Sequence, residues 1–99
     1  MSTSTTELSV PDAVSVSISH DTLTVELSDG RSIAVPLPWY PRLLHATKKE
    51  RANWRLVGKG EGIHWPDLDE DIGIEGLIKG RPSGETDASL RRWLVKRGR

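Results

Sequence analysis

Between Val14 and Val35 apolar and polar residues alternate, and that alternation commits the first third of the chain to a sheet. Val14-Ser15-Val16-Ser17-Ile18 and Leu23-Thr24-Val25-Glu26-Leu27 each repeat with period two. Such a period puts one set of side chains on one face, as a half-buried strand requires. His20-Asp21 supplies a tight turn between them, and Asp29-Gly30 a second one, because glycine accepts positive φ cheaply. Ile33-Ala34-Val35 is the third strand, closed by Pro36, which has no N–H for the ladder. The reading is an antiparallel meander with Val14, Val16, Ile18, Leu23, Val25, Leu27, Ile33 and Val35 on its buried face.

Helices follow in short pieces. Prolines 36, 38 and 41 exclude a regular helix before Pro41, which can itself open one at its first turn. Trp39, Leu43 and Leu44 are expected to press onto the sheet. Thr47 with Glu50 three residues on is a capping box. Trp54 to Val57 reads as a fourth strand, Gly58 to Gly62 as a turn and Ile63-His64-Trp65 as a fifth strand. Ile72 to Ile78 fits either a strand, by its β-branched residues, or a helix, by the spacing of Ile74, Leu77 and Ile78; the helix is the reading adopted. Asp87 is expected to cap a helix whose Leu90, Trp93 and Leu94 form one apolar stripe. The fold class is therefore α+β: a small antiparallel β-meander, short helices packed on it and a C-terminal amphipathic helix. The expected organisation is a disordered start over residues 1–12, one domain over 13–80, a linker over 81–86 and the helix over 87–97.

A chain of 99 residues suits one domain. It has 4 Trp, 1 Tyr and no Phe, so the tryptophans must supply much of the large core volume. With no cysteine, neither a disulfide framework nor a thiolate metal site can form. Net charge is +0, from 14 basic and 14 acidic residues, but the charge is blocky. Residues to Val35 are acidic, Pro36 to Gly60 basic, Glu61 to Glu75 free of any basic residue, and the tail from Lys79 basic again. Such blocks favour internal pairing or a charged partner surface and do not specify nucleic acid. No apolar run approaches the ~20 residues of a membrane helix. The first residues lack the basic start and apolar core of a signal peptide, so a soluble, cytoplasmic protein is expected.

The most unusual stretch is Gly62-Ile63-His64-Trp65-Pro66-Asp67-Leu68-Asp69-Glu70-Asp71-Ile72. Its carboxylates cannot all be buried and belong on a turn or rim. Asp67-x-Asp69-x-Asp71 invites a calcium-loop reading, but an EF-hand needs Gly at position six and Glu at position twelve, which here are Ile72 and Ile78. A looser Mg²⁺ or Ca²⁺ site would add His64, and a small metal-dependent enzyme would use that cluster. The commoner origin of such a run is a solvated turn whose carboxylates pair with Arg42, Arg51 or Arg55. His20, His45 and His64 are the only imidazoles, and no serine or threonine stands in a recognisable nucleophile context, so no catalytic residue and no cofactor is assigned. Trp39, Tyr40, Trp54 and Trp65 could stack bases, but a core without Phe needs them more.

Taken in order, several blocks resemble a known family. They are Leu27-Ser28-Asp29-Gly30-Arg31, Pro36 to Leu44, Glu50-Arg51-Ala52-Asn53-Trp54, Gly62 to Pro66 and Leu68 to Ile72. Together they resemble the bacterial domain-of-unknown-function family 2442, over about Val14 to Gly80. The resemblance implies a small α+β fold without established catalytic residues. It also implies an antitoxin-like role beside a small partner protein encoded nearby. Some relatives add a helix-turn-helix; too few residues follow Gly80 for one here. The leading expectation is thus a non-enzymatic protein-binding module that masks its partner. Asp67, Asp69, Glu70 and Asp71 would face basic groups of the partner, with Leu90, Arg91, Trp93 and Leu94 as a second contact. The alternative is a nucleic-acid-binding regulator using Arg91, Arg92, Lys96 and Arg97 on phosphates. Exposed sheet edges add the expectation of a homodimer.

Overall fold

The structure, a computed structural model, describes residues 10–98; expectations for residues 1–9 and for Arg99 lie outside them. β1 (Ala13–Ile18), β2 (Thr22–Leu27) and β3 (Ser32–Pro36) form an antiparallel sheet in the order β1-β2-β3. This is the meander that the alternation predicts. A 3-10 turn (Leu37–Trp39), α1 (Pro41–Leu44) and α2 (Lys48–Ala52) lead to a second antiparallel sheet. Its strands are β4 (Arg55–Val57), β5 (Gly62–Trp65) and β6 (Glu70–Gly73), in sequence order. α3 (Ile74–Ile78) and α4 (Asp87–Lys96) close the chain.

Both sheets feed one core, as two packed layers must. Leu23, Val25, Leu27 and Val35 come from the first, and Ile63, Trp65 and Ile72 from the second. Leu37, Tyr40, Leu43, Leu68, Ile74 and Leu77 enter from the connecting segments. Trp65 is fully buried, and its indole N–H donates to the Arg51 carbonyl at 3.0 Å. That bond satisfies the one polar atom of the largest core residue. Trp39, Trp54 and Trp93 are only half-buried and pack at the margin. The two sheets are tied where the β4–β5 turn meets β1. Ala13 N–H donates to Gly60 O at 2.7 Å, and Gly60 has φ +110°. A Cβ there would lie 2.4 Å from Ala13 O, so only glycine permits this approach.

Several local expectations are corrected. Val14 is 54% exposed, and Ala13 takes the inward place at 3%. The cause is a bulge: Ala13 pairs with Leu27 but Ser15 with Glu26, so the alternation shifts at Val14. Leu44 faces solvent, because the four-residue α1 turns only Leu43 inward. The acidic run is a turn only to Asp69; Glu70 opens β6 and is buried. Residues 72–78 divide, with Ile72 and Gly73 ending the strand and Ile74 beginning the helix. The cap of α4 is Thr86, whose hydroxyl accepts from Ser89 N–H, and Asp87 sits in the first turn. The capping box at Thr47 and Glu50 forms as expected, with both reciprocal bonds present.

Candidate interaction surface around Arg42 and the acidic turn

The β5–β6 turn is built from inside. Pro66 ends β5, and Leu68 N–H bonds back to Trp65 O at 3.2 Å, which drives the fully buried Leu68 side chain into the core. Asp69 follows at φ +51°, a left-handed conformation that Asp tolerates better than most residues. From α1, Arg42 reaches across and donates to the carbonyls of Leu68 (3.1 Å) and Asp69 (3.2 Å). The turn is therefore pinned by an apolar plug and a guanidinium. The carboxylates of Asp67 and Asp69 on the turn, and of Asp71 just beyond it on β6, are exposed. Asp67 accepts from Asn53 at 2.9 Å, and Asp71 lies 2.7 Å from His64 Nδ1. The expected pairing of these carboxylates with Arg42, Arg51 or Arg55 is corrected: among the described residues Arg42 bonds the turn's backbone, and Arg51 bonds the carbonyls of Leu43 and Leu44.

Glu70 is the exception in the run. It is 8% exposed, and burial pushes its carboxyl up to about 7. Arg42 opposes that shift, while Glu85, Asp71 and Asp69 add to it. Tyr40 responds in the same sense: burial, and then the Glu70 charge, raise its phenol. A low dielectric disfavours charge at both positions.

Arg42 also organises the C-terminal region. Its guanidinium forks onto Glu85, with Nε to Oε1 at 2.7 Å and Nη2 to Oε2 at 3.3 Å, and lies 5.3 Å from the Trp93 ring centroid. Ser89 donates to the same Glu85 carboxylate at 2.5 Å. Desolvation would raise the Glu85 carboxyl, but the bonds from Ser89 and Arg42 outweigh it and hold the group below its usual range. Arg97 closes the other end. It lies 4.4 Å from the Trp93 centroid and donates to Glu50 at 2.7 Å. That bond, with the Thr47 backbone N–H, draws Glu50 down to about 2. Two cations over one indole and two part-buried ion pairs thus dock α4. Residues 81–86 also run against the body: Ser83 N–H donates to Trp39 O (2.9 Å) and Tyr40 OH to Arg81 O (3.3 Å).

The sequence-level candidates separate accordingly. Asp67 and Asp69 on the turn and Asp71 on β6 are exposed, and Glu70 between them is buried. Trp93 is clamped, with Leu90 and Leu94 half-buried beside it, while Arg91, Arg92 and Lys96 are exposed. Arg97 is turned inward onto Glu50. Among the described residues no three His, Asp or Glu side chains converge as a metal site would need. Sequence reasoning missed Arg42, Glu50, Glu85 and Arg97 as one clamp. The only signals were Glu85 four residues before Ser89 and an arginine just past the last apolar residue of the helix.

The family model described as "Protein of unknown function (DUF2442)" matches residues 13–83. The chain belongs to the DUF2442 family. The DUF2442 region holds Arg42, Glu50 and the acidic turn, while Glu85, Trp93 and Arg97 lie beyond it. Among solved structures, the crystal structure of a protein of unknown function from Rhodospirillum rubrum is similar at 29% identity and a TM-score of 0.63. The match covers 79% of this chain and 94% of that one. The solution NMR structure of an uncharacterized protein from Chromobacterium violaceum is similar in fold at 19% identity and a TM-score of 0.63. It covers 88% of this chain and 78% of that one. No curated protein matches the chain. Among the described residues no helix is long and apolar enough to cross a membrane.

Proposed function

We propose that this DUF2442 chain is a cytoplasmic, non-enzymatic protein-binding module. It would act as an antitoxin-like domain that masks a small basic partner encoded nearby. The observation that carries the reading is the pinned acidic turn. Leu68 and Arg42 fix its backbone from below while Asp67, Asp69 and Asp71 face outward. A rigid carboxylate array loses little freedom on binding and selects a basic surface by charge. Glu70 supports the turn from inside and takes no part in the contact, and Trp93 is engaged with its own chain. The antitoxin element rests on the family resemblance.

Co-purification of the adjacent gene product with the full chain tests this. Asp67→Asn, Asp69→Asn and Asp71→Asn together keep the shape of the turn and remove its charge. Capture that falls at least about tenfold in this variant, and falls with salt in the wild type, supports the reading. Absent capture, or capture indifferent to the variant, overturns it.

A second reading has its own observation. Arg92 and Lys96 join Arg42 and Arg97, with Ser89 and the single carboxylate of Asp69, around a cavity of about 410 Å³ beside Trp93. With Arg91, this basic helix face would suit phosphates of a nucleic acid, alone or beside a bound partner. Duplex binding that weakens steeply with salt, and is lost in Arg92→Ala/Lys96→Ala, would favour it.

A further inference from the structure

β1 is an edge strand of the first sheet, and β4 is an edge strand of the second. The chain covers the start of β1 itself, because Ala13 bonds to Gly60 in the β4–β5 turn. Further along, the end of β1 and the turn after it, Val16–His20, face Lys48, Arg51 and Ala52 of α2 and Trp54 across a groove of about 610 Å³. Its apolar lining is half-buried Val16, Ile18 and Trp54, and no acidic side chain lines it. Lys48 is exposed at the rim, whereas Arg51 is fixed by bonds to the Leu43 and Leu44 carbonyls, which places its charge without dependence on a partner.

We propose that this groove takes an extended acidic segment of another protein, added as a fourth strand on β1. An edge strand offers unpaired main-chain groups as a template, and strand addition draws affinity from those bonds and selectivity from side-chain pockets. Val16, Ile18 and Trp54 receive alternate apolar side chains, and Lys48 and Arg51 meet carboxylates on the opposite alternation. Charge selects this occupant over a second copy of the chain. Two copies paired through β1 would bring their Lys48 and Arg51 walls toward each other, whereas an acidic strand neutralises them. The surface is distinct from the acidic turn, so it stands whether or not the turn binds a basic partner.

The probe is a synthetic octapeptide of alternating valine and glutamate, titrated into the full ¹⁵N-labelled chain. Its counterpart alternates valine and lysine. The expected result is amide shifts confined to Val16–Ile18 and α2, a shift of the Trp54 indole, and at least fivefold weaker binding of the lysine peptide. Lys48→Glu/His20→Glu changes two exposed positions and should weaken the glutamate peptide at least fivefold. The spectrum elsewhere should be unchanged. No shift along β1 at millimolar peptide, or equal binding of both peptides, overturns the proposal. Shifts at β1 that grow with protein concentration without peptide also overturn it, because they identify a second copy as the occupant. Failure here leaves the co-purification result at the acidic turn untouched, and the converse holds.

Discussion

The core around Trp65 and the seam beneath α4 are held by different forces. Trp65, Leu23, Ile63 and Leu68 are fully removed from water, and the body stands on apolar burial. No residue of α4 is fully buried; Trp93 packs half-buried at the edge of the core, and the rest of the helix's docking is Arg42–Glu85, Arg97–Glu50 and the two guanidinium contacts to Trp93. Carboxylates behave oppositely in the two places. Glu70 is penalised when it ionises, whereas Glu50 and Glu85 are stabilised when they do. Apolar burial is little affected by pH and is kept or strengthened by salt, whereas charge pairs titrate and are screened. The docking of the helix is therefore expected to respond to salt more than the core does.

The largest effect that separates the regions is expected from Trp65→Ala. It empties the core and leaves Arg51 O without its donor, costing about 3–5 kcal/mol in urea unfolding. Gly60→Ala should cost about 2–3 kcal/mol, because the new methyl meets Ala13 O in a left-handed conformation. Arg42→Met tests the seam. It strands Glu85 and frees two turn carbonyls, for a loss of about 2 kcal/mol. Amide exchange should speed up in α4 and the turn, with β2 and β5 much less affected. If the whole chain loosens equally, the two regions are one unit.

How much of this was legible follows the same division. The first sheet was readable because burial leaves a period in the sequence. Only the bulge at Val14 escaped, since a one-residue register shift has no signature of its own. The capping box at Thr47 and Glu50 was readable because its partners are local. The clamp was not. Arg42 and Glu85 stand 43 positions apart, and Arg97 and Glu50 47, and nothing in a sequence pairs one particular charge with another at that distance. Glu70 was read with its exposed neighbours because it shares their chemistry; only the onset of β6 turns it inward. Asp67 and Asp69 were legible as a turn, but the strand that takes up Asp71 and the Leu68 plug that fixes the turn were hidden among charges.

Smaller effects sharpen the comparison by sign. Glu70 has a folded-state value above its unfolded one, so it binds its proton more tightly when folded. Its contribution favours folding at low pH and fades as pH rises from about 4.5 through about 7. Glu70→Gln should remove that slope and raise stability above pH 7 by roughly 1 kcal/mol, read from urea midpoints across pH. Glu50 has the opposite sign. Its contribution is present above about 4.5 and is lost as pH falls toward about 2. Glu50→Gln should therefore weaken α4 docking at pH 7 and change little at pH 2.

The most direct measurement is residue-resolved hydrogen exchange on the intact chain, followed as salt is raised from about 0.05 M to about 1 M. If charge holds the seam, protection of the α4 amides falls with salt while β2 and β5 stay protected, and the Trp93 indole signal moves toward its free position. If α4 and the core strands keep the same protection at every salt concentration, the helix is held by burial like the rest, and the division drawn between the two regions is wrong.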